Sequence, residues 1–243
     1  MEQFFSDDAQ GLGYGDGELT PAQWRRQLLA VLRKEFRSEI RSPHGLLTGG
    51  LFSLLAVVSI MFAAYNMRLT PTMAAGLLWV IFLFAGVAAL PRSFIAEEEN
   101  GTGDLLRVTA NPHSVFWGKA LFNAALTLAT ACVLTFLFVV VMNLSVAHLD
   151  LMVAGLVGGA LALSGAVTLC GALAARAASR QALAGAIALP LVIPVAVWGV
   201  TSLRVALGEP GYDAGRAAAI GLIAYGIVSN AVGPFIYAVL WKR

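Results

Sequence analysis

Charge is scarce in this chain. Asp, Glu, Lys and Arg supply 12% of its 243 residues, about half the share of a soluble domain. A soluble fold of this size could not cover itself with so few charges. Histidine and cysteine are scarcer still: His44, His113, His148, Cys132 and Cys170 are the full set. They form no Cys-x-x-Cys, Cys-x-x-Cys-His or His-Glu-x-x-His pattern, so the thiol-redox, haem-attachment and metalloprotease motifs are excluded. A phosphate-binding loop is also missing. The one Gly-Lys, Gly118-Lys119, is followed by Ala120, and His113 stands where the first glycine of that loop is needed. The first 19 residues set Gly11, Gly13, Gly15 and Gly17 among Asp7, Asp8, Asp16 and Glu18. They read as a disordered acidic tail, with neither the basic start nor the apolar core of a signal peptide.

What the chain has in excess is apolar sequence, 58% of all residues. Six stretches approach or exceed the roughly 20 residues a membrane helix requires: Leu46–Tyr65, Thr72–Leu90, Ala120–Met142, Leu151–Ala175, Ala182–Leu203 and Ala217–Trp241, the last broken mildly at Gly233-Pro234. None has an Asp, Glu, Lys or Arg in its interior. The fold class expected is an all-α integral membrane protein with six transmembrane helices. Lys and Arg gather on one side of this arrangement. Arg25, Arg26, Arg33, Lys34, Arg37, Arg41, Arg92, Arg107, Lys119, Arg176, Arg180, Lys242 and Arg243 fall on it, against Arg68, Arg204 and Arg216 on the other. Positive residues stay in the cytoplasm, so both termini are expected inside.

Three units follow: the tail over 1–19, an amphipathic interfacial helix over 20–44, and a six-helix transmembrane domain over 45–243 with a cytoplasmic loop at 91–119. Thr20-Pro21-Ala22-Gln23 matches a capping box with proline at the first helical position. Behind it Trp24, Leu28, Leu32, Phe36 and Ile40 recur every fourth residue, widened by Val31, while Arg25, Arg26, Arg33, Lys34, Arg37 and Arg41 fill the remaining surface. Such a helix lies among lipid headgroups with its apolar stripe toward the acyl chains, or else packs that stripe on a soluble partner. In the loop, Glu97, Glu98 and Glu99 stand together near the membrane, Asn100-Gly101-Thr102-Gly103 makes a turn, Thr102 caps a short helix carrying Leu105, Leu106 and Val108, and Ser114 caps the helix leading into the third span. Composition alone favours an ordinary solvated acidic loop.

At this loop the chain resembles a family. Ala88-Ala89-Leu90-Pro91-Arg92-Ser93-Phe94, the acidic run, Gly101-Thr102, Asp104-Leu105-Leu106, Pro112 and Lys119 are similar to the signature segment of the heme exporter protein B family, CcmB. Leu189-Pro190-Leu191-Val192-Ile193-Pro194 resembles that family's Leu-Pro-Leu-x-x-Pro segment. The likeness in organisation covers residues 22–243; its specific motifs cover far less. It departs at the acidic tail and at Gly103, where the family usually has Leu. The resemblance implies a permease subunit of an ABC transporter for cytochrome c maturation, in a bacterial inner membrane. The subunit would not be an enzyme and would bind no cofactor directly. ATP would act through a separate CcmA-like ATPase, and haem is the possible cargo, passed through the subunit or released on a loaded chaperone. A second permease copy, as a homodimer, and other cytochrome c maturation membrane proteins are the further partners implied. The loop becomes the coupling element, with Glu97, Glu98, Glu99, Gly101, Thr102, Asp104 and Leu105 toward the ATPase, and residues 22–41 become an elbow helix.

Several residues keep more than one reading. Pro190 and Pro194 each remove a backbone donor and bend the fifth span, either for packing alone or toward a dimer interface or substrate path. Gly155 and Gly159 form a Gly-x-x-x-Gly pair that serves close packing within a subunit or between two. His148 reads as a solvated residue of an outer loop, Cys132 and Cys170 as packing residues, and no residue is identified as a haem ligand. Alternative functions are an ABC exporter permease for another amphipathic molecule, a membrane enzyme, or a non-transporting scaffold. The enzyme reading suffers from the lack of carboxylates and histidines within the spans.

Overall fold

The computed structural model describes residues 20–41, 43–65, 67–89, 94, 97, 101–174 and 180–241. Over these residues the protein is all-helical: seven long helices and one short one. In chain order they are α1 (Pro21–Arg41), α2 (His44–Ala63), α3 (Pro71–Ala89), α4 (Gly103–Thr109), α5 (Pro112–Val141), α6 (Leu149–Ala174), α7 (Arg180–Ala206) and α8 (Tyr212–Trp241). The expected tail lies outside the described residues. Four stretches, Pro112–Val141, Leu149–Ala174, Ala186–Ala206 and Tyr212–Val239, are long and apolar enough to cross a membrane. Two more apolar stretches, Gly49–Ala63 in α2 and Pro71–Gly86 in α3, are shorter among the described residues. This is a multi-pass membrane protein.

The bundle is built around α6. About two thirds of its apolar stretch is buried, against a third of those in α7 and α8, and it packs on α5, α7 and α8. Its sequence explains that place. In a bilayer, helices associate through close packing more than through water exclusion, and small residues permit the closest approach. On α6, Gly155, Gly158, Gly159, Ala162, Gly165 and Ala166 are all buried. A Cβ on Gly158 would lie 2.9 Å from the Leu222 Cβ on α8, and one on Gly159 would lie 2.8 Å from Trp79 on α3. The Gly155/Gly159 pair therefore packs inside the subunit. Trp79 also fills the space above Gly199 of α7, where an added Cβ would lie 2.0 Å from its ring. One indole thus holds α3 against two neighbours.

Helix boundaries correct the sequence reading in two places. The last helix does not break at Gly233-Pro234 but runs unbroken from Tyr212 to Trp241. The glycine there makes room for the Phe116 ring of α5, 2.2 Å from where a Cβ would stand, so the pair marks a packing contact. The third apolar helix begins at Pro112, eight residues before the apolar run, because Asn111 caps it and proline is well placed at its start.

The three connections α2–α3, α5–α6 and α7–α8 gather at one end. There Glu209 accepts from Thr72 and pairs with Arg204. The Ala206 carbonyl accepts from the amides of Ala147 and His148 at 2.9 and 3.1 Å. The Tyr212 hydroxyl donates to Asp150. The opposite end holds α1, α4, the start of α5 and the end of α8.

Candidate functional site

At the second end, α1 is fastened to the bundle. The expected capping box is present: the Thr20 amide donates to Gln23 Oε1 at 3.0 Å, and the Gln23 amide reaches Thr20 Oγ1 at 3.4 Å. The expected lipid-facing stripe is only part of the surface, however. Phe36 and Ile40 are exposed, at 43% and 80%, whereas Trp24, Leu28 and Leu32 are half-buried. The residues pressed onto α5 are Gln27, Val31 and Glu35, one register step round the helix. Gln27 Oε1 accepts from the Asn111 amide at 3.1 Å. Val31 sits over Gly118, whose missing Cβ would be 2.7 Å from the Val31 side chain. Phe36 meets Phe122 edge-on at 5.0 Å. So α1 is a docked helix with an outward apolar edge. Arg25, Arg26, Arg33 and Arg37 are exposed, as is much of Lys34.

The centre of the site is a ring of four charges. Lys119, fully buried on α5, donates to Glu35 of α1 at 2.8 Å and pairs with Glu97 at 2.9 Å. Lys34 of α1 closes the ring, pairing with Glu35 at 3.3 Å and with Glu97. Charges alternate around it, and the sum is zero. Glu35 and Glu97 are themselves buried, at 7% and 8% exposed. Burying one ion costs several kcal/mol unless well-placed opposite charge compensates, and here each buried carboxylate has two ammonium neighbours. Burial pushes the Glu35 carboxyl up, but Lys119 and then Lys34 outweigh it and hold the group below its ordinary value. Burial likewise pulls the Lys34 ammonium down, and Glu97 followed by Glu35 more than reverses this, leaving it raised. The Lys119 ammonium also lies 4.8 Å from the centre of the Phe94 ring, a favourable cation–π distance. Phe94 in turn packs on Tyr237 of α8 at 5.1 Å.

The expected coupling residues divide. Glu97 is turned inward into the ring, which makes it an anchor of the loop. Gly101 and Thr102 are exposed, with Gly101 at φ +66°, a turn conformation that favours glycine. The backbones of Asp104 and Leu105 lie in α4. Glu98 and Glu99 lie outside the described residues. Thr102 takes the position preceding α4, but its hydroxyl makes no cap bond there and donates back to the Glu97 carbonyl at 3.3 Å. Ser114 does not cap α5: Asn111 does, accepting from the His113 amide at 2.9 Å, and Ser114 is buried in the first turn. Asparagine at the residue before proline already has the extended backbone a cap needs, which leaves serine three positions later without that role.

Sequence reasoning missed Glu35 entirely and treated Lys119 as a loop charge. A signal existed for the lysine. Val115, Phe116 and Phe122, at helical spacing on either side of it, put Lys119 on an apolar stripe, where a charge requires partners. Below the ring the polar connection continues: Asn123, one turn on, donates to Thr168 Oγ1 of α6 at 2.8 Å. Deeper still, α2, α3, α5 and α6 enclose a partly open cavity of about 610 Å³ including its mouth, with a nearly all-apolar wall of Trp79, Phe82, Leu126, Thr127, Leu156 and neighbours. Pro190 and Pro194 do not line it. They sit on α7, which stays helical through both; Pro190 is exposed, and Tyr225 of α8 donates to the Leu191 carbonyl between them at 2.8 Å. His113 packs on Phe235 and His148 on Tyr212.

A family profile described as CcmB protein matches residues 26–241. The heme exporter protein B of Bradyrhizobium diazoefficiens is 30% identical over 213 residues, covering 87% of this chain and 95% of that protein. The matched span takes in most of the docked helix, both carboxylates and both lysines of the ring, and the bundle that carries them; the chain belongs to the CcmB family.

Proposed function

We propose that this chain is the permease subunit of an ABC transporter serving cytochrome c maturation, exporting haem or releasing a haem-loaded chaperone, and driven by a separate CcmA-like ATPase. The observation that carries the mechanism is the fixed base of the α3–α4–α5 loop: Glu97 is anchored by two lysines and Phe94 is clamped between α5 and α8. A partner that pushes on α4 therefore pushes on a stiff element, which a soluble motor needs if its closure is to move membrane helices. In this reading α2, α3, α5, α6, α7 and α8 are six spans of the bacterial inner membrane and both termini are cytoplasmic. The subunit has no ATP site of its own and works as a homodimer. Gly101, Thr102, Asp104 and Leu105, with Glu98 and Glu99, form the ATPase-facing surface, and Glu97 holds that surface in place. Exposed Phe36 and Ile40 of α1 meet the bilayer.

The test is complementation with co-purification. In cells lacking this chain, covalent haem on periplasmic c-type cytochromes should be lost and should return with the wild-type gene. An E98A/E99A variant should insert normally and recover less ATPase on purification. Normal cytochrome c in the deletion strain, or wild-type permease that captures no ATPase, would refute the assignment.

A further inference from the structure

We infer that Lys34, Glu35, Glu97 and Lys119 form a mechanical lock that makes α1, the α4 segment and the start of α5 a single moving body, with Lys119 as its positioning residue. This rests on the proposed function. It adds which residues carry motion from the ATPase-facing loop and denies α1 an independent life on the membrane surface.

Three separate chain segments meet in the ring: α1 supplies Lys34 and Glu35, the segment before α4 supplies Glu97, and α5 supplies Lys119. Sequence distance between partners is 84 residues for Glu35 and Lys119 and 63 for Lys34 and Glu97, so local chain stiffness contributes nothing. A second contact set joins the same segments: Val31 of α1 packs with Ala110 and Val115, together with Leu106 of α4 and Trp241 of α8. The Gln27 side chain also accepts from the amide of Asn111, at the α4–α5 joint. Polar and apolar contacts thus fasten one unit.

The arrangement of charge explains why it locks. In a closed ring of alternating sign, every charge has two opposite neighbours. Moving any one segment away leaves a buried charge with half its compensation, and the low-dielectric surroundings make that loss large. A single exposed ion pair would yield easily; this ring resists displacement in each of its three directions. Only Lys119 touches both carboxylates from α5, and Asn123 of the same helix continues to Thr168 on α6. Displacement of the loop is therefore delivered to the central helix of the bundle through Lys119.

The experiment uses the full permease with its ATPase in membranes of a deletion strain. Spin labels at Arg33 on α1 and Val108 on α4, both exposed, report their separation in a Cys132→Ala, Cys170→Ala background. In wild-type protein that separation should be unchanged by nucleotide. The E35Q/K119M variant keeps the Lys34–Glu97 pair and removes one charge of each sign from the ring. It should bind the ATPase and hydrolyse ATP, yet broaden the α1–α4 distance with nucleotide and lower haem attachment by about tenfold or more, the size expected when contacting residues are uncoupled. The inverted ring, K34E/E35K/E97K/K119E, preserves alternation and should restore both readouts. Normal maturation in E35Q/K119M, or a nucleotide-dependent α1–α4 distance in wild type, overturns the lock while leaving the transporter assignment standing. If E35Q/K119M does not insert, the inverted ring decides alone: restored maturation supports the lock, and an assembled but uncoupled complex overturns it. Wild-type permease that binds no ATPase refutes the lock and the function together.

Discussion

Replacing Lys119 by Met separates the charge from its packing. The methionine keeps most of the buried apolar stem and removes only the ammonium. Glu35 and Glu97 then remain inside the protein, with Lys34 as the ring's only remaining ammonium. Breaking a buried pair from one side costs about 3–5 kcal/mol, because a charge is left uncompensated. At about 2–4 °C per kcal/mol for a chain of this length, the unfolding midpoint of detergent-purified protein should fall by about 6–20 °C, read from its tryptophan fluorescence. The double variant E35Q/K119M removes one charge of each sign and should lose less than K119M alone. Acid should erase the wild-type advantage. The Glu35 carboxyl is held below its ordinary value of 4.5, so its contribution is complete above that value and disappears as pH falls through the depressed one. The raised Lys34 ammonium contributes fully below 10.5 and loses its part only in strong base. Without Lys119 the buried Glu35 carboxyl of K119M protonates at higher pH than in wild type, so the gap between the two should narrow as pH falls and close in acid. A K119M midpoint equal to wild type, or a double variant as unstable as the two single losses added, would refute the compensation argument.

Two other outcomes follow from packing and topology. Gly226→Ala would place a Cβ 2.8 Å from Leu161 Cβ and 2.9 Å from the Ala162 backbone nitrogen; backbone cannot yield cheaply, so this change should destabilise by about 1–3 kcal/mol, whereas Gly50→Ala, with nothing within 4 Å, should leave the midpoint unmoved. Val146→Cys, in the α5–α6 connection and 39% exposed, should react with a membrane-impermeant maleimide in cells with a permeabilised outer membrane and intact inner membrane; protection there, with labelling only after inner-membrane lysis, would invert the proposed orientation.

The helices are legible because each apolar run is long and free of charge, and the end of α8 at Trp241 is legible with them; the mild break expected at Gly233-Pro234 is absent because Gly-Pro is punctuation in solution. In this bundle Gly233 is a seat for Phe116. The capping box at Thr20 was legible because it is local: both bonds span three residues. The cap on α5 was assigned to Ser114 because serine, asparagine and threonine all satisfy the same pattern, and only the backbone before Pro112 selects Asn111. Glu35 was invisible for a different reason. On a helix carrying six Lys and Arg, Glu35 and Glu39 read as local charge balance, and the partner that gives Glu35 its meaning is 84 residues away. Glu97 was read as part of an acidic run facing outward, whereas helix docking turns it inward; composition records neighbours in sequence, and ion pairs depend on neighbours in space.

The two ends of the bundle are closed by different chemistry, and the difference bears on which end moves. At the end of the three short connections, Glu209 joins α3 to the α7–α8 turn, the Ala206 carbonyl gathers the α5–α6 loop, and Asp150 holds Tyr212. These bonds link the spans to one another and keep that end together. At the other end the ring binds α1 and the loop to α5, and Asn123 is the polar step from α5 to α6. A force applied at α4 therefore meets a rigid unit at its point of entry, the Asn123–Thr168 contact to the central helix, and a tied far end. Under the proposed function, such a force would tilt α5 about its distal attachment. Tilting α5 would move Leu126 and Thr127, two of the residues that line the apolar cavity between α2, α3, α5 and α6, so under the proposed function that cavity is where a push on the loop would change the shape of the membrane domain.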